Sequence, residues 1–306
     1  MRVLITGATG LIGSKITELC HDKGLAVNYL THSKNKIQKK ENYQGFYWNP
    51  KKGEIDPSCI EGVGAIINLA GANVFQPWTK KNKEKILNSR IDSLHTLKKL
   101  LKEQDHKVGQ IVSASAVGIY PSSFTKMHYE DEKAVDDSFL GMVSEKWEEA
   151  ADELKEPDVL VAKVRIGLVL SESGGALPQI ERPVKYNLGA PLGSGKQWQS
   201  WIHIEDLARI FLFILEQGLE GVYNGVAPNP VTNKDLTEQL AKVMDKNVWL
   251  PKVPGFILKT AMGEMSSLVL SSQLVSSKKI EDAGFDFHYV NLEKALLSIR
   301  NEKTGS

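Results

Sequence analysis

Short apolar runs and amphipathic stretches alternate from the first residue to about position 170. Val3, Leu4 and Ile5 read as a buried strand. Ile12, Ile16, Leu19 and Cys20 follow at i, i+4, i+7 and i+8, one face of a helix. Further strand-like runs fall at 27–30, 65–69, 110–113 and 159–164, the last leading into Ile166 and Leu168. Between them Leu87, Ile91, Leu94 and Leu101 mark one helix. Val143, Trp147, Ala150, Ala151 and Leu154 mark another, with Glu145, Lys146, Glu148, Glu149 and Asp152 on its polar faces. Strands separated by helices imply right-handed crossovers and a parallel sheet. The fold class is therefore α/β, a doubly wound parallel-sheet Rossmann fold.

After Leu170 the texture changes to glycine- and proline-rich loop chemistry at 171–175 and 189–195. A helix is expected over 204–217 and a short strand over 221–224, ended by Pro228 and Pro230. Thr232 or Asn233 suits the N-cap of a helix whose buried face is Leu236, Leu240 and Val243. Short helices and loops then lead to a helix over 292–297 and a polar tail, 300–306. The expected organisation is a Rossmann domain over 1–170, to which 200–227 returns. Residues 171–199 and 228–306 form a smaller C-terminal α/β capping region, and the cleft between the two is expected to hold a small-molecule substrate.

The first turn carries the strongest chemical signal. Gly7, Thr9, Gly10, Leu11, Ile12 and Gly13 lie between the first strand and the first helix. Absent side chains at the three glycines let the backbone approach a dinucleotide pyrophosphate, which the positive end of the helix dipole then faces. Position strengthens a glycine motif that would be weak alone. The second strand ends Tyr29-Leu30-Thr31-His32-Ser33-Lys34, where an NAD-selective site places a carboxylate against the adenine ribose. No Asp or Glu occurs between Leu25 and Lys40, whereas Thr31, His32, Ser33, Lys34 and Lys36 are available. Basic side chains and hydroxyls bind a 2′-phosphate that a carboxylate would repel. The expected cofactor is NADP(H), with NAD(H) the alternative; Lys34 and Lys36 read otherwise as solvated surface charges. Asn68, Leu69, Ala70 and Gly71 end the third strong strand with residues small enough for the chain to pass a flat ligand, or with a plain turn.

Composition narrows the class without naming a reaction. A 306-residue chain with net charge +1 is large enough for a sizeable core and gives no reason to expect nucleic acid as a partner. No apolar stretch approaches a membrane span, and Met1-Arg2 runs straight into the first strand without room for a signal peptide. Cys20 and Cys59 are far apart in sequence and match no metal-ligand pattern. The expectation is a soluble cytoplasmic protein, monomer or homodimer, with no metal and no membrane partner.

These pieces together resemble the short-chain dehydrogenase/reductase superfamily. The glycine spacing, residues 68–71, Ser113-Ala114-Ser115 and the segment from Trp201 to Ala208 carry the resemblance. More narrowly the chain resembles an atypical subgroup of nucleoside-diphosphate-sugar epimerases, through 68–72, 89–91, 113–120, 165–170, 189–197 with 201–206, and Val253-Pro254. The resemblance implies a catalytic serine at Ser115. It places a tyrosine about 24 residues on, at Phe139, and its lysine partner at Val143. Neither residue transfers a proton, and both fit helix packing beside Trp147. Tyr120 is a candidate replacement, or an aromatic whose hydroxyl is bonded locally. Lys146, among Glu145, Glu148 and Glu149, reads as solvated.

Arg90, Ser113 and Arg165 complete the expected cofactor set, with Arg90 facing the nicotinamide or a substrate phosphate, or paired with Asp92. The resemblance also places an arginine for a sugar-nucleotide diphosphate near Gln199. A glutamine there brings neutral hydrogen bonds and no charge. Gln197, Gln199 and Trp201 are the substrate candidates, suited to a flat polar or aromatic molecule, and 193–196 reads as an anion-wrapping loop or a β-turn. His203 is read as a structural histidine anchoring a helix start. The expected function is hydride transfer to or from a hydroxyl or carbonyl substrate, the sugar nucleotides among them. The competing reading is a non-catalytic NADPH sensor.

Overall fold

Each apolar run of the first half becomes a strand of one sheet in the computed structural model, which describes residues 1–304. Its strands are β1 (Arg2–Thr6), β2 (Ala26–Thr31), β3 (Lys39–Lys40), β4 (Tyr43–Asn49), β5 (Glu54–Ile55), β6 (Val63–Asn68), β7 (Gln110–Ala116), β9 (Leu160–Ile166) and β13 (Gly221–Gly225). The order is β13-β9-β7-β6-β1-β2-β4-β3, with β5 on β4. β1 lies between β2 and β6, and β1, β2, β4, β6 and β7 are parallel, while the two-residue strands β3 and β5 run antiparallel to β4. The sequence is reversed at β1, the switch point where α/β sheets bind ligands at the strands' carboxyl ends. This is a Rossmann fold.

The crossover helices include α1 (Leu11–Asp22), α2 (Lys80–Glu103) and α3 (Phe139–Asp152). Each buries part of the stripe its periodicity marks, Ile16 and Cys20 on α1, Leu94 and Leu101 on α2, Val143 and Trp147 on α3, while Ile12, Leu19, Leu87 and Ile91 are half-buried. Thr79 and Ser138 cap the last two through side-chain oxygens that accept from Asn82 N and Gly141 N. One residue departs from the periodic reading: Glu148 is buried, 7 % exposed, and its carboxylate has partners inside. The strand Tyr43–Asn49 is also absent from the sequence reading. Its polar and aromatic residues share no apolar stripe, and Gly45 interrupts it because a Cβ there would meet the Tyr29 ring at 2.5 Å.

Chain contacts group the protein into two compact units. The first comprises Met1–Ile119, Ser138–Arg165 and Ala208–Tyr223; the second comprises Tyr120–Asp137, Ile166–Leu207 and the chain from Asn224 on. Within the second, α4 (Leu177–Lys185), α6 (Asn233–Val243) and α7 (Leu292–Thr304) bury a core of Leu177, Val184, Trp201, Leu236, Leu240 and Leu296. Small two-stranded sheets join β10 (Leu168–Leu170) to β12 (Trp201–His203), β11 (Trp198–Gln199) to β14 (Val231–Thr232), and β15 (Leu274–Val275) to β8 (Met127–His128). α5 (Ile204–Glu216) is the helix expected over 204–217, and Thr232 caps α6 in a full capping box with Asp235. The stretch from Arg300, read as a polar tail, is instead helical to Thr304; the remainder of that tail lies outside the described residues. No described helix is long and apolar enough to cross a membrane.

Candidate functional site

The turn from β1 into α1 is built by glycine. Gly7 has φ +72°, and a Cβ on it would press on Leu69 backbone at 3.3 Å. At Gly13 a Cβ would fall 2.2 Å from Gly7 O, so the helix can approach the turn only without a side chain. Gly10 N donates to Gly7 O at 2.9 Å and closes the loop. Gly10 caps α1 with no side-chain acceptor, and the first turn holds no acidic residue. The leading amides of Leu11, Ile12 and Gly13 are therefore left for an external anion, at the positive end of the helix. A dinucleotide pyrophosphate fits this cradle in shape and in charge.

Beside it, a hydrogen-bonded chain ties three strand ends. Thr6 Oγ1 donates to Asn68 Oδ1 (2.8 Å), and Asn68 Nδ2 donates to Ser113 Oγ (3.2 Å), linking β1, β6 and β7. Thr6 Oγ1 also accepts from Leu69 N and Ala70 N, each at 3.0 Å. Asn68 and Ser113 thus fix the carboxyl edge of the sheet, and Thr6 holds the 69–70 backbone over it. Gly71 makes room for Arg90, since a Cβ would stand 3.0 Å from Arg90 Cζ. Arg90 Nη1 donates to Ile86 O and Ala72 O, and the guanidinium lies 4.8 Å from the Trp147 ring centroid. Burial lowers the Arg90 pKa to about 10, which leaves it a cation at neutral pH.

At the end of β2, Thr31 Oγ1 accepts from Ser33 N and sets the bend that throws His32 and Lys34 outward. Aromatic side chains of β4 support both: His32 lies 5.8 Å from Trp48, and Lys34 Nζ lies 5.2 Å from the Tyr47 ring. Sequence reasoning missed these two aromatics. The Phe46-Tyr47-Trp48 run next to a strand-breaking glycine was the available signal.

Ser115 and Arg165 sit differently from the sequence reading. Ser115 Oγ donates to Glu148 Oε1 at 2.7 Å and is 1 % exposed. Arg165 grips the same carboxylate through Nε (2.7 Å) and Nη2 (3.0 Å), and Lys163 pairs with Asp152 at 2.7 Å. The fork neutralises Arg165 internally, and the Ser115 proton is already committed to a carboxylate. Ser115, Glu148 and Arg165 form a buried ion network, to which the expected roles of the serine and the arginine would be subject. Phe139, where the resemblance put a tyrosine, heads α3 with its ring 5.0 Å from Trp78 and Lys83 Nζ 5.1 Å from its centroid. Val143 is buried, so the packing reading holds for it.

In the second unit the remaining candidates turn inward. Tyr120 is fully buried; its hydroxyl donates to Asn224 Oδ1 at 2.7 Å and its ring stacks on His128. Burial lowers the His128 pKa, with Glu132 opposing. Gln197 Nε2 donates to Leu192 O and Val269 O, while its Oε1 accepts from Ser194 Oγ, so it locks the 192–197 loop. Trp201 is wholly buried in the core with Nε1 bonded to Asn229 O, which leaves no ring face for a ligand. Gln199 is half-buried on β11. His203 Nδ1 accepts from Glu205 N and its ring stacks on Tyr289 at 3.8 Å, as a structural histidine should.

The model of the NAD dependent epimerase/dehydratase family matches residues 3–140, and that of a domain of unknown function (DUF1731) matches residues 253–299. The epimerase family protein YfhF of Bacillus subtilis is 36% identical over 297 residues, 97% of each chain. The crystal structure of human epimerase family protein SDR39U1 (isoform 2) with NADPH has TM-score 0.86 and 28% identity, covering 98% of this chain and 99% of that one. A nucleoside-diphosphate sugar epimerase from Corynebacterium glutamicum has TM-score 0.74 and 27% identity, covering 97% of this chain and 57% of that one.

Proposed function

Because the chain belongs to the epimerase family, we propose that it binds NADP(H) and transfers a hydride to or from a carbonyl or hydroxyl carbon. The observation that carries this reading is the glycine cradle, with a second strand whose end offers cations and no carboxylate. The amides of Leu11, Ile12 and Gly13 would hold the pyrophosphate. Thr31, His32, Ser33 and Lys34 would meet the 2′-phosphate, with Tyr47 and Trp48 steadying the two basic side chains. The 69–71 backbone would pass the nicotinamide ribose, with Arg90 behind it. When bound, the nicotinamide supplies or accepts the hydride.

A charge reversal tests the cofactor preference. Lys34→Glu is expected to weaken NADPH binding at least tenfold, about 1.4 kcal/mol, while NADH binding stays within about twofold. Isothermal titration with both cofactors at fixed salt checks it. An equal loss for NADH would refute the assignment of Lys34 to the 2′-phosphate.

The enzyme reading needs a substrate, and neither Phe139 nor Val143 provides a proton. A second reading, a non-catalytic NADPH sensor, is favoured by that pair and by the engagement of Ser115 with Glu148. A panel of carbonyls and sugar nucleotides offered with labelled NADPH separates the two, since hydride transfer to any of them excludes the sensor.

A further inference from the structure

The proton-transfer positions at the head of α3 have been replaced by an aromatic shelf with a cation on it. Trp78 lies in the loop that leaves the carboxyl end of β6, and Lys83 lies in the first turns of α2. Phe139 is the first residue of α3. The Trp78 and Phe139 rings meet at 5.0 Å and 66°, Trp78 Nε1 is anchored on Val74 O at 3.0 Å, and Lys83 Nζ lies over Phe139. The pattern repeats along the same seam: Arg90, seven residues after Lys83, lies over Trp147, eight after Phe139. All five of these rings and cations are half-buried or buried on the first unit, and Arg90 borders the 71–72 backbone at the sheet edge.

Such a surface suits a planar, conjugated molecule that becomes an anion. Reducing an isolated carbonyl leaves an alkoxide, whose conjugate acid is nearly as weak as water, pKa about 15.7, so that reaction requires a positioned proton donor. Reducing a quinone leaves a phenolate-type anion delocalised over the ring, with a conjugate acid near pKa ~10, like a tyrosine side chain. No enzyme donor is then needed, and a cation beside the ring does the stabilising.

Resting on the proposed NADP(H) site, we propose that the substrate class is a para-quinone, seated on Trp78 and Phe139 with its developing negative charge toward Lys83 and Arg90. The quinone takes a hydride, two electrons and one proton, from the C4 position of the dihydronicotinamide. It becomes the hydroquinone monoanion, which takes its second proton from water, while NADPH is oxidised to NADP+. The absence of a tyrosine and a lysine at 139 and 143 is then a property of the reaction and not a loss of it.

The test uses the whole chain and a water-soluble para-naphthoquinone sulfonate, with a protein-free reaction subtracted. Without cofactor, the quinone is expected to quench tryptophan fluorescence saturably, and Trp78→Leu to remove most of that signal. With NADPH, the quinone is expected to be reduced at a rate flat between about pH 6 and 8, since no enzyme group donates the proton. Lys83→Met is expected to slow reduction about tenfold while NADPH binding, read calorimetrically, stays within twofold. Gly13→Ala is expected to stop reduction but keep the quenching.

NADPH binding with neither quenching nor reduction overturns the shelf and leaves the cofactor reading intact. Absence of NADPH binding overturns the cofactor reading, and the reductase with it. A rate that follows a titrating enzyme group, or faster turnover of a simple ketone or a sugar nucleotide, overturns the quinone assignment.

Discussion

Gly13→Ala is expected to raise the dissociation constant for NADPH at least a hundredfold, about 2.7 kcal/mol. The added Cβ would stand 2.2 Å from Gly7 O, 2.7 Å from Ala8 Cα and 2.8 Å from Gly7 C. All three are backbone atoms, so no side chain can swing away. The turn must move off α1, and the cradle amides move with it. Overpacking of this kind also costs about 1–3 kcal/mol of stability. Gly10→Ala provides the graded comparison, because its Cβ would meet only Gly7 O, at 3.2 Å. Titration calorimetry with NADPH, with denaturant unfolding of each apo variant, gives both quantities. If Gly13→Ala bound NADPH like the wild type, the cradle would not be the pyrophosphate site.

The second large effect concerns folding. Glu148→Leu is expected to destabilise the protein by about 3–5 kcal/mol, lowering Tm by roughly 5–8 °C for a chain of this size. The substitution removes the carboxylate that pairs with Arg165, which is 6 % exposed. Lys163 keeps Asp152 and so contributes less to the penalty. Ser115→Ala removes one hydrogen bond to the same carboxylate and is expected to cost about 1.5–3 kcal/mol. Adding Arg165→Met to Glu148→Leu should recover part of the loss, because the buried charge disappears with it. A double-mutant cycle on unfolding free energies checks the coupling. Simple additivity of the two substitutions would contradict the network, and a Ser115→Ala protein of undiminished stability but abolished turnover would return Ser115 to a catalytic role.

Periodicity was enough to read β1, β2, β6, β7 and β9, the crossover helices and the glycine turn, because each depends on residues adjacent in sequence. Tyr43–Asn49 escaped since three of its aromatics run together without alternation, after a glycine that accommodates a neighbour's ring. Glu148 escaped for a related reason. A charge four residues after Ser144 looks solvated until Arg165, on a strand 17 positions later, arrives beside it. Trp201 and Gln197 shared the composition of a substrate-facing segment. The bonds from Trp201 Nε1 to Asn229 O and from Gln197 Nε2 to Val269 O are contacts that spacing along the chain does not encode. The candidate site was legible where a ligand meets backbone and illegible where side chains choose each other.

The Tyr29 hydroxyl donates to Lys36 O at 2.7 Å and accepts from Gln38 N at 2.8 Å. The basic segment that leaves β2 is therefore clasped at its far end by the strand it left, while Thr31 bonds Ser33 N at its near end. Residues 32–36 form a short exposed cassette pinned at both ends by β2. Their composition can drift over generations, or be rewritten in the laboratory, without disturbing the pyrophosphate cradle. On the proposed assignment of this segment to the 2′-phosphate, nucleotide choice is a replaceable part of the chain.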